Sequence, residues 1–336
     1  MRIFYDGRIF QMQKAGGINR YFAEVISGLP AEYEPLVTGV EDFGNHAPNH
    51  PNLKQPRLKG ASRPGIAQFY DAWWKPQLLR GVDVFHPTYY DVTWGYALED
   101  FKGPLVVTVY DFVYAWYAKV IDGSDRVLRD QRKAVERADH VVCISKATEE
   151  GLLERFPEKR GKTSVSYLGS SFEVQPPVAA ETIFEQPTFL FVGGRGGYKN
   201  FSFLLRAFAK AREVNGKLRL RVAGSPLTGD EKWQLYFLGL TDAVEVSVFP
   251  SEADLMKLYR SSVALVYPSL HEGFGIPPLE AMACRTLAIT SNTTSLPEVV
   301  GDGGIMLDPL RENDWVEAML KAAQGGGERG EMIERG

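Results

Sequence analysis

The chain alternates short runs of β-branched and aromatic residues with longer segments whose apolar positions recur every three or four residues. "RIFYDG", "DVFHP", "PLVVTVYD", "HVVCIS" and "KTSVSYL" read as buried strands of a first unit. After the first of them, "GGINRYFAEVISGLP" places Ile18, Tyr21, Phe22 and Val25 on one helical face. A proline-rich, aperiodic stretch, "SFEVQPPVAAETIFEQP", breaks the pattern after residue 171 and reads as a linker. The alternation resumes with "TFLFVGG", "NFSFLLRAFAKAREVN", "KLRLRVAG", "AVEVSVF", "EADLMKLYRSS", "VALVYPS" and "TLAIT". This predicts an α/β protein with two Rossmann-like parallel-sheet domains, residues 1–171 and 188–336, joined by residues 172–187. Ligands of such sheets bind beyond the carboxyl ends of the strands, so the domains are expected to face a central cleft holding the site.

Composition narrows the partners. With 336 residues, 44% hydrophobic and 24% charged, the chain has enough apolar surface for two cores. A net charge of −4 gives no general attraction to phosphate backbones, and no nucleic-acid partner is expected. Cys143 and Cys284 stand far apart, which argues against a disulfide framework or a zinc site. The start, "MRIFYDGRIF", carries charge within its apolar run, and no apolar stretch reaches the roughly 18 residues of a spanning helix. The expectation is a soluble cytoplasmic protein.

The stretch "VALVYPSLHEGFGIPPLEAMAC" reads as strand, loop and helix, with Pro277 or Pro278 in the helix's first turn. Gly273 and Gly275 allow a tight turn and close approach to a ligand. A helix start offers unpaired N–H groups to a phosphate, which carboxylates would repel. Glu272 and Glu280 therefore point to hydroxyls: Glu280, expected in the first helical turn, to a ribose, and Glu272 to a second polyol. The plainer reading makes Glu280 a first-turn acid and Glu272 a solvated loop acid. A second strand, glycine turn and helix, "FVGGRGGYKNFSFLLRAF", sets Arg195 and Lys199 at a strand's carboxyl end. These read as a solvated basic turn or as cations opposing charge that develops on a leaving diphosphate. The glycines match neither a dinucleotide fingerprint nor a Walker loop.

"HEGFGIPPLEAMAC" together with "SNTTSLPEVVGDGGIMLDP" resembles the E-x7-E region of family 4 glycosyltransferases of the GT-B fold. These are retaining enzymes that use nucleotide-diphosphate sugars. The resemblance runs along nearly the whole chain and is strongest over residues 189–309. It implies that Glu280 holds the donor ribose, that Glu272 holds the donor hexose, and that the amides of Phe274, Gly275 and Ile276 lie near the diphosphate. It also implies that Arg195 and Lys199 contact that diphosphate, although Arg195 stands one place later than in many relatives. Where relatives read G-T-P, this chain has "RTL". The glycine would be a helix C-cap, so Arg285 there would sit at positive φ at a cost of roughly 1 kcal/mol.

In the first domain, Gly16 and Gly17 open a helix and read either as a tight turn or as an anion cradle, and Arg20 one turn on faces phosphate or solvent. The resemblance makes this the glycine loop facing the donor diphosphate. His86 ends a strand in "DVFHPTYYDV" and is either a core histidine or, by resemblance, a residue of the acceptor side. In "VVTVYDFVYAW" relatives have His-Asp, the His contacting the donor sugar; here Tyr110 precedes Asp111. Tyr110 can donate a hydrogen bond but cannot serve as a near-neutral base, which leaves Asp111 as candidate base or as a turn-capping acid.

The function expected from the resemblance is hexose transfer, mannose favoured, from a GDP- or UDP-linked sugar to a glycan or lipid-linked acceptor. The subtype resembles bacterial O-antigen and polysaccharide mannosyltransferases. A lipid-linked acceptor would bring the chain transiently to the inner face of the membrane. No cofactor beyond the sugar nucleotide is expected, and no metal, because no D-x-D run is present. Two alternatives stand: a non-catalytic sugar-nucleotide binder, favoured only by Tyr110 in the His position, and a GT-B nucleotide-sugar epimerase. The ending "GGGERGEMIERG" stops where relatives continue into a helix crossing back to the first domain, so a truncated or different tail is expected.

Overall fold

Strands that read as near-continuous apolar runs require cover on both faces, which parallel sheets obtain from crossover helices. The computed structural model describes residues 1–13, 16–40, 42–44, 46–56, 79–92, 98, 101–118, 123–176 and 185–336. Two units result: Met1–Ile144 with Thr148–Ser166, and Ser145–Ala147 with Tyr167–Gly336. Residues 177–184 of the expected linker lie outside the described residues.

The first unit holds β1 (Arg2–Tyr5), β2 (Glu34–Val37) and β3 (Val84–Phe85) in the order β2-β1-β3. A second trio, β4 (Val106–Val109), β5 (His140–Cys143) and β6 (Thr163–Val165), runs β4-β5-β6. Every pairing is parallel, and one parallel bridge from Phe85 to Leu105 links the trios. β2 is absent from the strand pattern in the sequence because Pro35 interrupts it; at an edge, proline's missing N–H is tolerated.

The second unit is one parallel sheet in the order β12-β11-β10-β7-β8-β9. Its strands are β7 (Thr188–Val192), β8 (Arg219–Gly224), β9 (Val244–Val248), β10 (Ala264–Tyr267), β11 (Leu287–Ser291) and β12 (Gly304–Leu307). This is the doubly wound order 3-2-1-4-5-6, in which the winding reverses between β7 and β10. One face packs Phe189, Phe191, Val222 and Ile289 against Leu204 and Phe208 of the helix Phe201–Val214, and Trp315 and Met319 of Glu312–Gln324. The other face sets Leu190, Leu265 and Tyr267 against Phe172, Tyr259 and Ala281.

Arg285 has φ 58, the left-handed geometry expected from its place after a helix. The Thr286 N–H donates to Ala281 O at 2.8 Å, closing the helix end, while the Arg285 side chain donates to Gln175 O and Ile333 O, each at 3.3 Å. Two carbonyl contacts thus offset part of the backbone cost. Among the described residues no helix is long and apolar enough to cross a membrane.

Two side chains carry measurable stability. Trp315 is fully buried, and its indole N–H donates to Asp308 O at 2.9 Å. Trp315→Ala is expected to lower the stability of the second unit by about 3–5 kcal/mol in urea unfolding followed by circular dichroism, and Trp315→Phe by less. His86 lies among core rings, with centroids 5.6 Å from Tyr5 and 5.1 Å from Phe22, and burial pushes its pKa down to about 4. In the unfolded chain it titrates near 6.5, so between those values the unfolded state binds the extra proton. Its contribution is full above pH 6.5 and is lost as pH falls towards 4, by roughly 3 kcal/mol in all. A His86→Asn variant should show a flatter stability–pH profile over that window.

Candidate functional site

Where a doubly wound sheet reverses its winding, the loops after the two central strands diverge and leave a crevice beyond their carboxyl ends. In the second unit those strands are β7 and β10, and the loops after them carry Lys199 and Glu272. Lys199 lies on a short 3-10 turn, Gly197–Lys199, reached through Gly193 at φ 118. Its Nζ donates to both carboxylate oxygens of Glu272, at 2.7 and 2.9 Å, and to Tyr267 Oη at 2.8 Å. The lysine and glutamate side chains are 14% and 10% exposed, so this is a largely buried ion pair. Burial works against the ammonium, but the oxygens of Tyr267 and Glu272 more than restore it, and the proton is held above the ordinary lysine range.

The loop bearing Glu272 is fastened to the segment after β11. Glu272 N–H donates to Thr294 Oγ1 at 3.0 Å; Ser295 Oγ donates to Glu272 O at 3.0 Å and to Phe274 O at 2.7 Å. The helix Ile276–Ala283 then starts at Gly275, whose φ of 117 favours glycine; a Cβ there would also lie 2.8 Å from Leu296 Cδ2. No side chain caps this helix. Pro277 and Pro278 have no N–H, and the Leu279 N–H turns back to Gly275 O. The donors this helix start can offer an anion are thereby confined to Ile276 and the loop residues before it.

Glu280 is the fifth residue of that helix and so sits in the second turn, not the first as expected. It is buried at 7% exposure and accepts from Tyr259 Oη at 2.9 Å. A dipole-complementing surface acid would not be enclosed in this way. Sequence reasoning passed over Tyr259, Tyr267, Thr294 and Ser295. Tyr267 ends a strand on the same face as Leu265, a period-two signal that could have marked it.

Arg195, expected to share a diphosphate with Lys199, is committed elsewhere. Its guanidinium contacts Glu231 at 2.7 and 3.1 Å, Ser225 O at 3.0 Å and Pro226 O at 2.8 Å, and the side chain is 4% exposed. Glu231 also closes a capping box with Thr228 at the start of the helix Gly229–Phe237. The physical reason is the register: one place later on the loop, the side chain reaches the β8 side, where Glu231 and two carbonyls satisfy it. Arg195 is a strut between loops, and Lys199 is the cation at the crevice.

In the first unit, Gly16 precedes the helix Gly17–Ser27, whose first turn has no side-chain cap; Arg20, half-buried, lies in that turn. Residues 14–15 of the glycine loop lie outside the described residues. Asp6, at the end of β1, accepts from the Thr88 N–H and Oγ1, both at 2.9 Å, tying the loops after β1 and β3 together. His86 has its Nε2 2.8 Å from Thr108 Oγ1 and occupies a packing position. Tyr110 is 7% exposed, and its hydroxyl has no partner among the described residues. Burial first, with Tyr21 and Tyr90 nearby, keeps that phenol protonated and therefore a donor. Asp111 Oδ1 accepts from the Val113 N–H at 2.9 Å, a contact at the entry to the short helix Val113–Trp116.

Residues 15–171 match the model of Glycosyltransferase Family 4, and residues 179–336 that of Glycosyl transferases group 1. The chain is 27% identical over 326 residues to the O-antigen chain mannosyltransferase B of Escherichia coli, spanning 87% of this chain and 83% of that protein. It is 44% identical over 103 residues to the serotype-specific mannosyltransferase WbdA of Escherichia coli, a match over 31% of this chain and only 11% of that protein. Its fold is similar to that of a sucrose-phosphate synthase from Thermosynechococcus elongatus, with TM-score 0.74 and 22% identity over 100% of this chain and 94% of the other. With both halves matched by glycosyltransferase models and both built on parallel sheets, the chain belongs to the family 4 glycosyltransferases of the GT-B fold.

Proposed function

We propose that this glycosyltransferase moves a hexose, with mannose favoured, from a nucleotide-diphosphate sugar to a hydroxyl of a glycan or lipid-linked acceptor, with retention at the anomeric carbon. The observation that carries the reading is the Lys199–Glu272 pair at the winding reversal, beside an uncapped helix start and ahead of the enclosed Glu280. The order is that of a nucleotide sugar: Glu280 for the ribose hydroxyls, the amides near Gly275 and Ile276 for the diphosphate, and Glu272 for the hexose. The mannose preference is drawn from the names of the Escherichia coli relatives.

On donor binding, the diphosphate competes with Glu272 for the Lys199 ammonium, and Glu272 turns its oxygens to hexose hydroxyls. As the bond from the anomeric carbon to the leaving phosphate oxygen breaks, negative charge builds on that oxygen. An ammonium already in place and shielded from water opposes it without reorganisation. The acceptor oxygen forms its bond on the same face, and its proton passes to the leaving phosphate. Asp111 is drawn into the backbone of its turn, which favours the phosphate as the base. The unpartnered Tyr110 hydroxyl is offered to a sugar hydroxyl. Charge neutralisation is assigned to Lys199.

Incubation with GDP-mannose and an O-antigen acceptor should give a product whose anomeric configuration, read by NMR, matches the donor's. Inversion would overturn the mechanism, and donor binding without turnover would favour the non-catalytic reading. Thermal shift with GDP-, UDP- and ADP-sugars identifies the base, since a donor at 100 times its Kd stabilises by about 2.7 kcal/mol. Glu280→Gln, which still accepts from Tyr259, is expected to weaken donor binding roughly 10- to 100-fold. An unchanged Kd would remove the ribose assignment. Lys199→Met, made with Glu272→Gln so that no buried charge is stranded, should lower kcat by about 100-fold or more.

A further inference from the structure

The first unit carries a basic groove of about 580 Å³ apart from the residues treated above. Arg129, Arg132 and Arg155 line it against one acid among the described residues, Asp125, in a chain whose net charge is −4. Its walls are apolar: Phe112, Leu128 and Phe156. The Arg155 guanidinium lies 4.7 Å over the Phe112 ring and 5.3 Å over that of Trp116, which is 63% exposed. Arg132 lies 5.5 Å over Phe156. Stacked this way, a guanidinium can offer its planar edge to a ligand while its face is held; Arg155 already gives one N–H to Gly151 O at 2.9 Å and keeps the others.

The neighbouring acids do little to neutralise the groove. Glu136 is 3.6 Å from Arg132 in an exposed i,i+4 pair, and Glu154 is 3.9 Å from Arg155. At those separations both pairs are weak, and solvent screens the exposed carboxylates. Arg129 makes no ion pair among the described residues. Guanidinium forks recognise phosphate oxygens in pairs, and the aromatic walls suit a hydrocarbon chain attached to that phosphate.

Through Gln131 the groove also adjoins the loop after β4 that carries Tyr110 and Asp111. Gln131, in its lining, donates to Asp111 O at 2.9 Å and to Tyr90 Oη at 3.0 Å, and Phe112 follows Asp111 directly. We propose that this groove binds the phosphorylated lipid end of the acceptor, with phosphate on Arg129, Arg132 and Arg155 and hydrocarbon on Phe112, Phe156 and Trp116. The proposal rests on the reading of a lipid-linked glycan acceptor and assigns a place to its anionic end.

Farnesyl diphosphate titrated calorimetrically into the full chain at fixed ionic strength is the test. Arg129→Gln with Arg132→Gln should weaken it at least tenfold and leave nucleotide-sugar binding unchanged; Lys199→Met with Glu272→Gln should do the reverse. Equal affinity in the arginine variant overturns the proposal. So does loss of binding in the Lys199 variant alone, which would place the probe at the donor site. Inorganic pyrophosphate binding as tightly as farnesyl diphosphate would deny the hydrocarbon contact and overturn it too. If the arginine variant loses only its retention on phosphatidylglycerol vesicles, the groove serves a bilayer surface and the proposal fails. Absence of nucleotide-sugar binding in the wild type would instead sink the donor reading, independently of the groove.

Discussion

Keeping the Lys199 ammonium charged away from water is the constraint around which the carboxyl edge of the second unit is arranged. Desolvation disfavours that charge, and a lysine left alone there would lose its proton. Glu272 supplies both carboxylate oxygens and Tyr267 its phenolic oxygen, and the charge survives. The other features follow from holding Glu272 in place. Thr294 and Ser295 pin its backbone, Gly275 turns the chain into the next helix, and Leu296 fills the space that any larger residue at 275 would need.

Parallel strands make this economy possible. They send every loop that follows a strand to the same edge, and the winding reversal opens a space there without removing any core residue. The first unit repeats the principle with different polar groups. Asp6 and Thr88 join the loops after β1 and β3, where that unit's strand order reverses, while His86 and Thr108 pair just beneath. These groups are buried and mutually satisfied, which makes them a framework. The buried phenol of Tyr110, without a hydrogen-bond partner among the described residues, lies outside it.

Comparing Arg195 with Lys199 shows how far residue type and spacing carry. Both are cations on one glycine-rich loop, and both sit after the same strand. Four places apart on that loop, one turns to Glu272 at the crevice and the other to Glu231. Glu231 lies 36 residues from Arg195, on a helix with no pattern linking it to the loop, so no local signal announces the strut. Glu280 was singled out in the sequence by its spacing to Glu272. Its second-turn position and its bond to Tyr259 were not legible there, because they depend on where the helix starts and on the helix Glu252–Arg260 packing against it.

Local chemistry alone determined most of the architecture. Apolar runs of strand length, the helical periodicity between them, and glycines after strands specify two parallel-sheet units and the loops that matter. The exceptions have local reasons: β2 contains Pro35, and β12 is four residues of "GIML" without alternation. Tertiary structure decided what the sequence pattern leaves open, namely which polar side chains meet. Ion pairing and hydrogen bonding act over about 3 Å, and strand order brings together groups from loops 73 residues apart, as it does for Lys199 and Glu272. Periodicity reports which face of an element is buried. It carries no information about which partner awaits on the neighbouring loop, and at this site the partner assigns each charge its role.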